Sequence, residues 1–200
     1  METLRVGSFE TNSSSHHVLT LGNKLRPVEE FPVPDESGKI HLELIRNDWG
    51  AVDFEPSPVK FVDFLMLAIG MMAYGSDPRT NTPCEDDQKK FMRWLNIVYK
   101  MVGLPPLTGL CMSWTTTYEI RSSGHGGISD SYMQTTHDMQ GNGLNGFLNS
   151  LAAAINPDDE KPWMAKVLAP IPEKEYLADV MLYNAALAVV GNSTGSVEGN

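Results

Sequence analysis

Between Pro58 and Gly75 the chain carries Val59, Val62, Phe64, Leu65, Ala68, Ile69 and Met72, an apolar set that covers nearly the whole circumference of a helix. A helix that is apolar almost all round cannot sit on a surface, so the rest of the chain must wrap it. Ser57-Pro58 reads as its N-cap and first turn, and Gly75 as its end. The window from 61 to 74 is interrupted by Asp63 and falls short of the roughly 18 to 20 apolar residues that a bilayer crossing needs. The sequence therefore predicts a buried central helix.

Three further helices follow from spacing. Thr82-Pro83 with Glu85, Asp86 and Asp87 is a helix start, because carboxylates favour the positive end of the helix dipole. Phe91, Leu95, Val98 and Val102 continue it as a stripe that Gly103 and Pro105-Pro106 close. Leu144, Phe147, Leu148 and Leu151 give a helix over residues 144–155, stopped by Pro157, and a last helical stretch runs from Glu173 to Val190. Residues 191–200 are low in apolar content and read as a flexible tail.

Strands are signalled by period two. Ile40, Leu42 and Leu44 fall on one face and His41 and Glu43 on the other, a strand with one wet face. Residues 4–9 and 18–21 are short, apolar and β-branched, residues 110–120 are rich in Thr, Trp and Tyr, and a Ser37-Gly38 turn follows the Pro-rich passage 27–34. With 200 residues, 42% of them hydrophobic, the chain can bury one sizeable core. The expected fold is α+β: one domain over residues 1–190, with a small mixed or antiparallel sheet packed against three to four helices.

Charge narrows the function classes. Twenty-five acidic residues against fifteen basic ones give a net charge of −10, which opposes binding to a phosphate backbone. Direct nucleic-acid binding is not expected. Met1-Glu2-Thr3-Leu4-Arg5 has no basic stretch leading into an apolar run, so a cytoplasmic location is expected, with no membrane partner. Cys84 and Cys111 form no Cys-x-x-Cys pair and read as two reduced core thiols, and no metal site is expected. No cofactor is indicated. A phosphate-binding Gly-Lys-Ser/Thr loop and His-Glu-x-x-His are missing from the sequence, and no Gly-x-Gly-x-x-Gly turn directly follows an expected strand, which removes support for the best-marked nucleotide and zinc enzymes.

One segment concentrates chemistry. Glu10, Thr11, Asn12, Ser13, Ser14, Ser15, His16 and His17 link the first two strands and supply a carboxylate, an amide, four hydroxyls and two imidazoles. In the functional reading the serines and their backbone N–H groups receive an anionic or carbonyl oxygen, while Glu10 or His17 moves a proton. In the alternative the serines and Asn12 cap their own backbone and the loop is structural. Trp49, in the Asn47-Asp48-Trp49-Gly50 turn, and His125 and Asp130, in the Gly/Ser loop after the Thr-rich strand, stand at strand ends, where binding groups commonly gather. They complete the candidate pocket; His137 and Asp138 are a further acid/base pair.

The run Gly7-Ser8-Phe9-Glu10-Thr11-Asn12-Ser13-Ser14-Ser15-His16-His17 resembles the Phe-Glu-Thr-Asn-Ser-Ser-Ser-x-His opening of a family of uncharacterised bacteriophage and bacterial proteins. The likeness continues through Asp48-Trp49-Gly50, Lys60, the helix over 144–155 and Asn156-Pro157-Asp158-Asp159. The family's Ile-Asp-His-Gln-Ser element corresponds here to Ile128-Ser129-Asp130-Ser131, which lacks the histidine, and Val18 stands where the family usually has Ser. The resemblance implies a phage or prophage origin, hence a host bacterial cytoplasm, and a site at the first loop. It implies no reaction.

Two functions remain open. One is a phage-type accessory protein whose polar pocket binds a small polar or phosphorylated ligand, acting on it or only holding it. The other is a non-enzymatic acidic protein that binds and inhibits or redirects a host protein, or a minor virion component.

Overall fold

The computed structural model describes residues 6–10, 15–45, 57–58, 60–74, 84–115, 143–155 and 161–199. Strands β1 (Val6–Glu10) and β2 (Ser15–Leu25) form an antiparallel hairpin, and β6 (Gly191–Gly199) pairs antiparallel with β2 along most of its length. The two-residue β4 (Ser57–Pro58) closes the order β1-β2-β6-β4. The fold is α+β.

Two expectations are corrected here. Residues 191–199 are an inner strand of this sheet and not a flexible tail, because backbone pairing with β2 replaces the apolar side chains that the segment lacks. Ser57-Pro58 is an edge strand beside Gly195 and Thr194, a place that tolerates a proline without an N–H, and the helix begins only at Phe61.

The helix is α1 (Phe61–Tyr74), followed by α2 (Glu85–Met101). Together they carry the chain between β3 (Lys39–Ile45) and β5 (Gly109–Thr115), which pair in parallel as a second sheet and require such a crossover. Ile40 and Leu42 are buried and Leu110 packs against the core beside Ile40, so the alternation read from the sequence holds over residues 40–42; the side chains of Glu43 and Leu44 lie outside the described ones. Asn96 fixes the approach to β5: its Nδ2 donates to Leu107 O at 3.1 Å and its Oδ1 accepts from Leu107 N at 2.6 Å.

The remaining helices are α3 (Gly143–Ala153), α4 (Pro162–Leu168), α5 (Glu173–Ala178) and α6 (Val180–Val190). The helix enclosed most completely among those whose side chains are fully described is α6, buried at Leu182, Tyr183 and every position from Ala185 to Val190. Its alanines let α2 and α3 approach closely. The Phe91, Leu95 and Val98 stripe of α2 and the Leu144, Phe147, Leu148 and Leu151 stripe of α3 are buried as expected.

Residues 173–190 are two helices rather than one. Asp179 leaves the helical region at φ −146° and ψ 40°, capping α5 and starting α6. Its carboxylate lies 2.6 Å from Arg93 Nη2, as an ion pair without the alignment of a hydrogen bond. Helix α4 is an addition to the elements read from sequence, and its Trp163 anchors the first sheet. Thr82-Pro83, Gly75 and the stops at 156–159 lie outside the described residues.

Gly22 interrupts the β2–β6 register between Leu21 and Leu25. A Cβ there would fall 1.6 Å from Asn192 O, so only glycine admits this approach of the two backbones. Trp163 Nε1 donates to Gly22 O at 3.3 Å, and the indole covers Gly191.

Candidate functional site

The expected site residues divide by where they fall. Glu10 ends β1, and Ser15 and His17 lie in the first part of β2. Thr11, Asn12, Ser13, Ser14, Trp49, His125 and Asp130, with His137 and Asp138, lie outside the described residues. The loop expected between Glu10 and His17 is therefore shorter than the sequence suggested: β2 already begins at Ser15, and 11–14 form the connection.

The ladder gives this hairpin its register. Glu10 stands opposite His16, and Phe9 opposite His17. Directly opposed residues of an antiparallel pair belong to one face and their neighbours to the other, so the register sets Glu10 beside His16 and places His17 with Phe9. On the far side of β2, Ser15 pairs with Gly199 and His16 with Glu198. The head of the sheet thus gathers Glu10, His16, His17 and Glu198 by backbone position.

Away from the hairpin, the sequence missed two polar centres. Arg26 is the one charged residue found buried among the described residues, 4% exposed. Its Nε donates to Val189 O at 3.1 Å, Nη2 to Gly191 O at 3.4 Å and Nη1 to Glu30 Oε2 at 2.5 Å, while its own N–H donates to Val190 O at 2.8 Å. A cation that fills the carbonyl end of α6 satisfies acceptors that the helix leaves open and complements its dipole. The guanidinium also lies 5.8 Å from the Phe64 ring centroid. Arg26 is a structural group.

The second centre is a turn at the start of β3. Gly38 adopts φ +79°, which a side chain would strain, and lets Asp35 N donate to Lys39 O and Gly38 N to Asp35 O, at 2.8 and 2.9 Å. Asp35 Oδ1 then accepts from Ser37 Oγ at 2.7 Å, Ser37 N at 2.8 Å and Lys39 N at 3.0 Å. Its Oδ2 lies 2.7 Å from His41 Nε2. The Ser37 hydroxyl above all, then His41 and the Lys39 N–H, hold the Asp35 carboxyl well below the ordinary carboxylate value. An ionised carboxylate can only accept, so His41 Nε2 carries the proton, and Nδ1 is the acceptor of the neutral ring.

The wet face of β3 thereby presents an oriented imidazole, with 66% of the His41 side chain exposed. The alternation of Ile40 to Leu44 could have found it; the acid partner could not be read, because the Asp35 contact depends on a turn. Cys111 lies in register beside His41 on β5. Both cysteines are free, but Cys84 is exposed and Cys111 half-buried, which corrects their reading as core thiols. The reason is position: Cys84 precedes the polar first turn of α2, and Cys111 falls on the face of β5 opposite Leu110.

Among the described residues no three His, Cys, Asp or Glu side chains are grouped to hold a metal ion, and no helix is long and apolar enough to cross a membrane. Comparison with family models, with curated proteins and with solved structures finds no match to the chain.

Proposed function

We propose that this chain binds a small polar or phosphorylated ligand at the head of its first hairpin and acts on it by general acid/base chemistry. Thr11, Asn12, Ser13, Ser14 and Ser15 supply the cradle, Glu10 with His16 or His17 the proton transfer, and Trp49, His125 and Asp130 the rim. The resemblance to the phage family supports the same loop and a phage-type accessory role.

The observation that carries this reading is the register that sets Glu10 opposite His16, with a four-residue hydroxyl- and amide-bearing connection between the strands. A tight hairpin needs none of that hydrogen-bonding capacity, whereas a bound oxyanion uses it. Within this reading the register favours His16 over His17 as the partner of Glu10.

A thermal-shift screen against nucleotides, sugar phosphates, amino acids and inorganic phosphate tests it, since a ligand that binds only the folded state raises the melting temperature. The proposal expects a shift in wild type that is lost in Glu10→Ala and in His16→Ala or His17→Ala, each variant melting normally on its own. No shift in wild type, with the histidine variants themselves destabilised, would instead make the loop structural and favour an acidic protein-binding role.

A further inference from the structure

We propose that Cys111 is a nucleophilic thiol, with His41 as its base and Asp35 as the residue that positions His41, and that it accepts an acyl group from a thioester or other activated carboxyl compound. Three observations carry this. In the parallel β3–β5 ladder His41 and Cys111 are in register, on the face opposite Ile40 and Leu110. Neighbouring strands run about 4.8 Å apart, so the two residues are next to each other on one face of the sheet. The Asp35 contact commits Nε2 to the proton and leaves Nδ1 as the basic nitrogen, the arrangement a thiol requires of its base. Asp35 is itself immobilised by Ser37 and Lys39, so the ring is held by a fixed partner.

The step balances without an oxidant. The thiol proton passes to His41 Nδ1, Cys111 Sγ bonds to the carbonyl carbon, the bond from that carbon to the leaving group breaks, and the proton returns to the departing thiolate or alkoxide. Acyl transfer is favoured over disulfide exchange because it uses a base that can give the proton back. Cys111 is half-buried, so an acyl donor can reach it. This site is separate from the hairpin, and either reading can fail alone.

The test uses the full chain with Cys84→Ser and p-nitrophenyl acetate as acyl donor, following nitrophenolate release and mapping the acetylated residue by mass spectrometry. Cys111 should be acetylated, and His41→Gln should slow the reaction about 100-fold. Asp35→Asn should slow it less, should add nothing in the His41→Gln background, and Glu36→Gln in the same turn should leave the rate unchanged. Added imidazole should restore His41→Gly in proportion to its concentration, which a purely structural histidine would not allow. Equal rates with and without His41 in variants that melt normally, or a Cys111 that reacts only after urea unfolding, would overturn the proposal.

Discussion

Arg26 and Asp35 flank the Pro-rich segment, and each gathers several hydrogen bonds, yet the two do opposite things. Arg26 is buried and spends its donors on the carbonyls of Val189 and Gly191 and on Glu30. Asp35 is at the surface, where the backbone of Ser37 and Lys39 takes one oxygen while the other orients His41. Desolvation makes the first set costly to disturb, since carbonyls stripped of their donor would stay dry; water can replace the second at little cost. A saturated buried charge holds a fold, and an oriented exposed one leaves a group at liberty to react.

Substitutions can break or sharpen that contrast. The largest effect belongs to the sheet that Arg26 helps to seat: Gly22→Ala puts a methyl group 1.6 Å from Asn192 O and should cost upwards of about 3 kcal/mol in denaturant unfolding, with β6 displaced from β2. Arg26→Met keeps the apolar stem but strands the carbonyls of Val189 and Gly191, and about 2 kcal/mol should be lost. A near-neutral result there would mean that water enters the end of α6 and that burial is not what separates the two centres.

Smaller effects lie on the outside. Lys100 Nζ sits 2.7 Å from both carboxylate oxygens of Glu175 and is the main reason that this carboxyl lies below its ordinary value. Both side chains are more than a third exposed, so Lys100→Met should cost less than about 1 kcal/mol, and less again in high salt. Asp35→Asn should lower the melting temperature only slightly at neutral pH, the smallest of these effects, and the difference from wild type should vanish in acid. The Asp35 carboxyl titrates lower in the folded chain than its ordinary 3.8, so its contribution is present above that pH and disappears as the pH falls below it. Melting followed down through that range should show a shallower acid limb in the Asn variant.

What could be read in advance followed local periodicity. The Phe91 to Val98 stripe, the alternation at Ile40, His41 and Leu42 and the Ser37-Gly38 turn each announce themselves within a few residues, and each is found. Residues 191–199 were misread because their strand is made by backbone pairing with a segment at the other end of the chain, for which composition has no signal. The break at Asp179 was visible in principle, since Asp favours caps over helix interiors, but its partner Arg93 comes from another helix. Arg26, just before Pro27, gave no sign of burial, because the carbonyls it meets end a helix far along the chain. The polar residue types of the first loop were plain in the sequence; that Glu10 stands opposite His16 rather than His17 needed the register.

The hairpin proposal is tested most directly by NMR of the histidine rings in wild type and in His41→Gln, titrated with inorganic phosphate. The account predicts that the resonances of His16 or His17 move saturably while that of His41 stays in place, and that Glu10→Ala weakens the response. Histidine resonances that all remain still, or a response confined to His41, would contradict it.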